Sequence, residues 1–298
     1  MRLIVILLLS TLFSCDTQIE EGVMKSDLSK DVEFVTDFGP IIMRLSDYTP
    51  IHRNNFIKLV NEKYYDSIAF HRVMDNFMIQ AGNPTTKPSK TYSAGGNPEL
   101  NYTIEAEIKP NLFHKRGALA AARSGGISNP DRLSSGLQFY IVQNGKQNDN
   151  SLNEALETID LWTAKNNVMN LPKVRTAIDK YLEVTKNLRL KDEKDLTEAD
   201  TLLFLSSKEK VDLYNIDSLA EIEVDKMKKY SFPKSHLEIY KTLGGEPRLD
   251  QNYTVFGEVV KGMNVVDSIA AVKTNDRDKP LIDVKIISAR LIKREHYK

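Results

Sequence analysis

Two kinds of hydrophobic spacing divide this chain. Over residues 31–143 and 248–296, short apolar runs alternate with polar positions, the two-residue period of strands; over 144–247 apolar residues recur at helical spacing. Val32-Glu33-Phe34-Val35 and Ile41-Ile42-Met43-Arg44-Leu45 flank a turn containing Gly39-Pro40 and read as a hairpin. Thr49 followed by Pro50 reads as a helix cap and first helical position, and Phe56, Leu59 and Val60 give that helix an apolar face. Residues 64–83 are strand-like, and residues 84–100, rich in Pro, Gly, Ser, Thr and Asn, read as a surface loop. Further strands are predicted over 102–108, 117–122 and 137–143, then over 253–260 and 284–293, with a short helix near 262–271.

Residues 144–247 follow other rules. Between Lys146 and Leu243 there is no glycine, and the only prolines are Pro172 and Pro233. Leu152, Ala155, Leu156 and Ile159 form one helical stripe; Val174, Ala177, Ile178, Tyr181, Leu182, Thr185 and Leu188 form another. Ser151 with Glu154, and Ser235 with Glu238, have capping-box spacing, and Gly244-Gly245 ends the last helix. The segment reads as an all-α insert, large enough for a small core of its own.

Charge and cysteine narrow the partners. Lys plus Arg equals Asp plus Glu, 41 each, so no net field favours nucleic acid. The five histidines are scattered, with no spacing of metal ligands, and neither a metal nor a cofactor is expected. Arg2 precedes an apolar run from Leu3 to Phe13, too short to span a bilayer, which needs roughly 20 residues. It ends in Leu12-Phe13-Ser14-Cys15, which looks like a bacterial lipobox, and Cys15 is the sole cysteine. The expectation is a lipoprotein signal peptide over 1–15, lipidation at Cys15, a tether over 16–30, and an exported protein held on an envelope membrane.

One strand breaks the packing rule. In Phe70-His71-Arg72-Val73-Met74-Asp75-Asn76-Phe77-Met78-Ile79-Gln80-Ala81-Gly82-Asn83, the alternating set Arg72, Met78, Gln80 mixes a cation and an amide with an apolar side chain. The segment resembles the active-site strand of the cyclophilins, the peptidyl-prolyl cis/trans isomerases. Gly117-Ala118-Leu119-Ala120-Ala121-Ala122-Arg123-Ser124, Ser135-Gly136-Leu137-Gln138-Phe139-Tyr140-Ile141-Val142 and Leu249-Asp250-Gln251-Asn252-Tyr253-Thr254-Val255-Phe256-Gly257 look like further family blocks, in family order. Thr49-Pro50 and Asn54-Asn55-Phe56-Ile57-Lys58-Leu59-Val60 resemble the family's first helix. The resemblance covers about residues 31–143 and 248–296. It implies a mainly β fold, a closed antiparallel β-barrel with capping helices, interrupted by the all-α insert at 144–247.

The implied activity is isomerisation of X-Pro bonds in proline-containing, unfolded or partly folded proteins. By resemblance Arg72 is the cation that stabilises the twisted amide, and Gln80 orients it and accepts from the substrate backbone. Phe77, Met78, Tyr140 and Leu249 would form the proline pocket. Tyr140 stands where the family usually has phenylalanine, and its hydroxyl needs a partner. Ala122 and Arg123 would pair through their backbones with the substrate, and Gln138 would be a second polar contact. Tyr253 and Arg248 stand where many eukaryotic members have histidine and tryptophan; loss of that tryptophan implies weak cyclosporin binding. The insert is expected to contact a client or a partner protein, and Trp162 reads as insert core. A chaperone-like role accompanies this reading. The alternative is a membrane-tethered peptide-binding or scaffold module whose turnover is incidental.

Overall fold

In a computed structural model, described for residues 17–88 and 102–297, the strand-like segments form one curled antiparallel sheet and the middle of the chain forms helices. In chain order the elements are β1 (Gln18–Glu20), β2 (Val23–Met24), β3 (Lys30–Thr36), β4 (Gly39–Leu45), α1 (Pro50–Asn61), β5 (Arg72–Met74), β6 (Met78–Ala81), β7 (Thr103–Ile104), β8 (Ala118–Ala121), β9 (Ser134–Ser135) and β10 (Phe139–Val142). There follow α2 (Asp149–Met169), α3 (Pro172–Arg189), α4 (Glu198–Asp212), α5 (Ile216–Lys226) and α6 (Lys234–Thr242), then β11 (Val255–Lys261), α7 (Met263–Ala270) and β12 (Ile286–Lys293). The large sheet runs β12-β3-β4-β11-β8-β10-β6-β5. Its two edges meet through contacts in which at least one partner lies outside regular strand. Ser67 and Phe70 donate to the carbonyls of Ile286 and Val284, Ile286 donates to Ile68, and Val73 donates to Asp278. The barrel is thus closed by loop hydrogen bonds rather than by a continuous β5–β12 ladder.

The interior is aromatic. Phe34 of β3, Phe56 of α1, Tyr65, Phe139 of β10 and Phe256 of β11 pack with ring centroids between 5.0 and 5.9 Å in tilted and edge arrangements. Such contacts add to the burial of large apolar area. Period-two alternation sends the intervening residues outward, where they build a second apolar cluster. Phe139 and Ile141 face the interior, whereas Tyr140 and Val142 join Met78, Ala118, Ala120, Leu249 and Val255 on the outer face.

Several local expectations change in the folded chain. Thr49 makes no side-chain cap on α1. Glu107 does so instead: its carboxylate accepts from the amides of Ile51 and His52, at 3.2 and 2.9 Å, and from His52 Nδ1 at 2.8 Å. Of the predicted 102–108 strand only Thr103–Ile104 is regular. Helix α2 is capped three residues earlier than the Ser151/Glu154 spacing suggests. Asn148 accepts from Ser151 N, and Ser151 Oγ accepts from Asn148 N. Ser235 and Glu238 form no capping box, because Pro233 precedes the helix and Ser235 already lies inside it. Residues 17–30 are not an extended tether: β1, β2 and a 3-10 turn dock on α1, with Val23 buried and Glu20 and Glu21 bonded to Asn54 and Lys58. Cys15, its lipobox-like segment and residues 89–100 of the predicted surface loop lie outside the described residues.

The insert has no single core. Its buried side chains form three small clusters, and the first, around Leu152, Ile159, Phe232 and Tyr240, takes in Phe113 of the barrel portion. The chain leaves and rejoins the barrel at one point, Gly145 beside Gly244-Gly245. Both later glycines have positive φ, +107° and +143°, and a Cβ on either would lie within 2.5 Å of backbone, so the crossing requires glycine.

Candidate active site

The outward face of β5, β6, β8 and β10 carries a cavity of about 200 Å³. Cross-strand register sets its composition: Arg72 of β5 lies opposite Gln80 of β6, and Gln80 opposite Tyr140 of β10. Met78 pairs with Val142, so the same face alternates from polar to apolar along two strands. The structure brings Arg72, Phe77, Met78, Gln80, Ala122, Arg123, Tyr140, Leu249 and Tyr253 together around this cavity. Gln138 stands just behind, bonded to Gln80.

Polar contacts fix the rim. Arg72 Nε donates to Asp278 Oδ2 at 3.2 Å, and Nη2 lies 3.1 Å from Met74 Sδ. Gln80 does not hold the guanidinium: its amide donates to Gln138 Oε1 at 3.0 Å. The orienting carboxylate comes from a loop about two hundred residues downstream, tied to β5 by the Val73–Asp278 bond. Sequence reasoning missed Asp278 because nothing local marks it. The Arg72 fork has five donors, and these two contacts leave donors for a ligand. Next to it, His71 is held down to about 4 by burial; a Gln138 hydrogen bond opposes the shift and the Arg72 charge adds to it.

Ala122 is already paired: its amide donates to Gln138 O and its carbonyl accepts from Ser135 N. That corrects the expectation that Ala122 pairs with substrate through its backbone, since both its amide and its carbonyl are engaged within the barrel. Arg123 differs: among the described residues its backbone amide and carbonyl have no partner. Its side chain folds back, with the guanidinium carbon 4.4 Å from the Tyr253 ring centroid and Nε donating to Asn252 O at 2.8 Å. Arg248 lies 4.8 Å from the ring centroid of Phe77 and bonds Glu246.

The Tyr140 hydroxyl finds its partner below the pocket floor. His114 Nε2 lies 3.0 Å from it, His114 Nδ1 lies 2.8 Å from Asp250 Oδ1, and Asp250 Oδ2 accepts from Tyr240 OH at 2.7 Å. All four residues are buried. Burial pushes both phenols well above their usual range, so both remain O–H donors. The tautomer that satisfies every group has Nδ1–H donating to Asp250 and Nε2 accepting from Tyr140. The outermost member, Tyr240, belongs to α6 of the insert. Trp162 of α2 also reaches out of the insert. It packs on the outer-face cluster, 6.4 Å from the Tyr253 ring, rather than in insert core. The unsatisfied Tyr140 hydroxyl was the one sequence signal pointing to this network.

The family model for cyclophilin type peptidyl-prolyl cis-trans isomerase/CLD matches residues 31–159 and 228–291. A Staphylococcus aureus (strain USA300) protein assigned as a peptidyl-prolyl cis-trans isomerase is 27% identical over 254 residues, covering 85% of this chain and 87% of its own. A Staphylococcus saprophyticus relative with the same assignment is 25% identical over 248 residues, covering 83% and 84%. A solved cyclophilin type peptidyl-prolyl cis-trans isomerase from Cryptosporidium parvum aligns with 89% of this chain and 99% of its own at a TM-score of 0.47 and 16% identity, a likeness too weak to carry weight. The two matched segments of the family model exceed half of the sequence, and the chain belongs to the cyclophilin-type peptidyl-prolyl cis-trans isomerases.

Proposed function

We propose that this chain isomerises X-Pro bonds of exported polypeptides by electrostatic stabilisation of the twisted amide. The amide bond resists rotation because resonance gives it partial double-bond character, and an uncatalysed X-Pro bond turns over in tens to hundreds of seconds. Twisting removes that resonance and leaves the proline nitrogen pyramidal and basic. Arg72, fixed by Asp278 at the cavity rim, is the cation directed at that nitrogen or the neighbouring carbonyl. Its charge is preorganised, so it favours the twisted state over the planar one without covalent chemistry or proton transfer. Phe77, Met78, Tyr140 and Leu249 seat the proline ring, Gln80 keeps its amide oxygen for the substrate backbone, and Arg123 offers its unpaired backbone groups. The observation that carries this reading is the meeting of a rim cation with an apolar floor in one cavity.

The test is a protease-coupled proline assay on Arg72→Ala, with folding checked by its melting curve. Loss of one preorganised charge is expected to cost on the order of 10²–10³ in rate. Arg72→Lys should rescue poorly, since the planar fork is lost. Full turnover in a folded Arg72→Ala protein excludes the mechanism. Absence of turnover in the wild type, with peptide binding retained, favours the tethered binding module.

The lipobox-like Leu12-Phe13-Ser14-Cys15 supports a lipid anchor at Cys15, which would place catalysis and any chaperone-like holding of clients at an envelope membrane. Labelled fatty acid should enter the wild type and not Cys15→Ser; equal labelling excludes lipidation at this residue.

A further inference from the structure

Beyond the Tyr253 side of the proline cavity lies a second one of about 290 Å³, walled on one side by the barrel and on the other by α2. Arg123 and Tyr253 line both cavities, so a peptide seated in the first runs directly to the second. Trp162, Lys165 and Met169 supply the helical wall. All three fall between the two segments that the family model matches, so this wall is particular to the insert.

The charges in this cavity are unbalanced. Arg123 and Arg132 both line it, and among the described residues none of its lining is acidic. Among the described residues neither guanidinium has a carboxylate within ion-pair distance; Arg123 bonds the carbonyls of Asn252 and Ser124, and Arg132 that of Gln251. Burial lowers the pKa of both, and for Arg132 the neighbouring Arg123 charge lowers it further. Two like charges are therefore held close together and partly out of water, an arrangement that opposes folding. Lys165 adds a third cation, paired among the described residues with Asp217, whose side chain is 77% exposed. An anion entering here would complete the pairing that the fold leaves open, while Trp162 and Met169 offer apolar surface to its carbon stem.

We propose that this cavity is a subsite for an acidic side chain of the client polypeptide, bound while the client's proline occupies the neighbouring pocket. The shared proline pocket is what makes the ligand a polypeptide rather than a free anion, so the inference rests on the isomerase reading. The insert thereby selects among clients without taking part in bond rotation.

The test uses full-length folded protein and end-capped peptides carrying one Ala-Pro core. Glu or Gln is placed one to four residues before or after the proline. Binding is read by fluorescence anisotropy, and turnover separately by the coupled assay. The Glu peptide should bind about tenfold tighter than its Gln twin at one position, as charge-assisted pairing implies. Rising salt should shrink that ratio. In Arg132→Gln it should fall to near one, and Arg132→Lys should restore part of it; Lys165→Gln should reduce it independently if Arg132→Gln does not fold. Two further arms separate the sources of negative charge. An uncapped C-terminal carboxylate on the Gln peptide should not replace Glu, and inorganic phosphate should compete only weakly. Equal binding of every Glu and Gln pair, an unchanged ratio in both variants, or phosphate binding tighter than the Glu peptide would overturn the proposal. A wild type that prefers Glu but turns over no peptide sinks the isomerase reading alone.

Discussion

Tyr240→Phe should loosen the barrel from inside the insert. Tyr240 is fully buried and donates at 2.7 Å to Asp250 Oδ2, also buried. The other carboxylate oxygen already accepts from the amide and Nδ1 of His114, at 2.9 and 2.8 Å, so no donor in this set can move to Oδ2. Phenylalanine fills the same ring space and opens no cavity. The cost is therefore that of an uncompensated buried acceptor on a charged group, about 2–3 kcal/mol. For a protein of this size that corresponds to a melting point lower by roughly 4–12 °C. Tyr140→Phe is the internal comparison. It removes a donor to the neutral Nε2 of His114, a smaller loss of about 1 kcal/mol. Both are measured by calorimetry and by urea titration at pH 7. The double variant should not be additive, because the two hydroxyls act through one imidazole and one carboxylate. A Tyr240→Phe protein melting within 1 °C of wild type, or less affected than Tyr140→Phe, refutes the reasoning. The same network implies that replacing residues 146–243 by a short linker destabilises the barrel, since that removes both Tyr240 and Trp162.

Three further expectations come from the rim. Turnover should be flat from about pH 6 to 9, because Arg72 stays charged and His71 stays neutral there; a bell-shaped profile centred on a histidine-like group would contradict the proposed role of Arg72. Stability should behave differently. His71 titrates at 6.5 when unfolded and about 4 when folded, so the unfolded chain binds the proton first, and stability present above pH 6.5 is lost as pH falls towards 4, by roughly 2–3 kcal/mol. His52 and His236 shift in the same direction through burial, so His71→Gln should remove only part of that acid slope. Asp278→Asn should lower turnover about tenfold with little change in melting point, since the Arg72–Asp278 pair is partly exposed, asparagine tolerates the positive φ of +59° at this position, and the carboxylate's value lies in aiming the cation; unaltered turnover would mean that Arg72 needs no such orientation.

The sequence determined what depends on spacing along one strand or helix. Period-two alternation in Arg72, Met78 and Gln80 places them on one face, and the same alternation in β10 sends Tyr140 to that face and Phe139 to the interior. The absence of glycine from 147 to 242 left those residues free to form long helices, and Gly244-Gly245 marks where they end. Tertiary structure decided every contact whose partner lies far along the chain. Asp278 reaches Arg72, Glu107 caps α1, and Tyr240 and Asp250 hold His114 under the pocket tyrosine, with no local pattern announcing any of them. The physical reason is range. Alternation and capping act over a few residues, whereas an unsatisfied donor or a buried charge is met by whichever group the closed barrel brings within about 3 Å. That is also why Trp162 left its predicted place in the insert core. Once α2 lies against the barrel, the apolar outer face beside Tyr253 buries it, and no helical periodicity within the insert encodes that face.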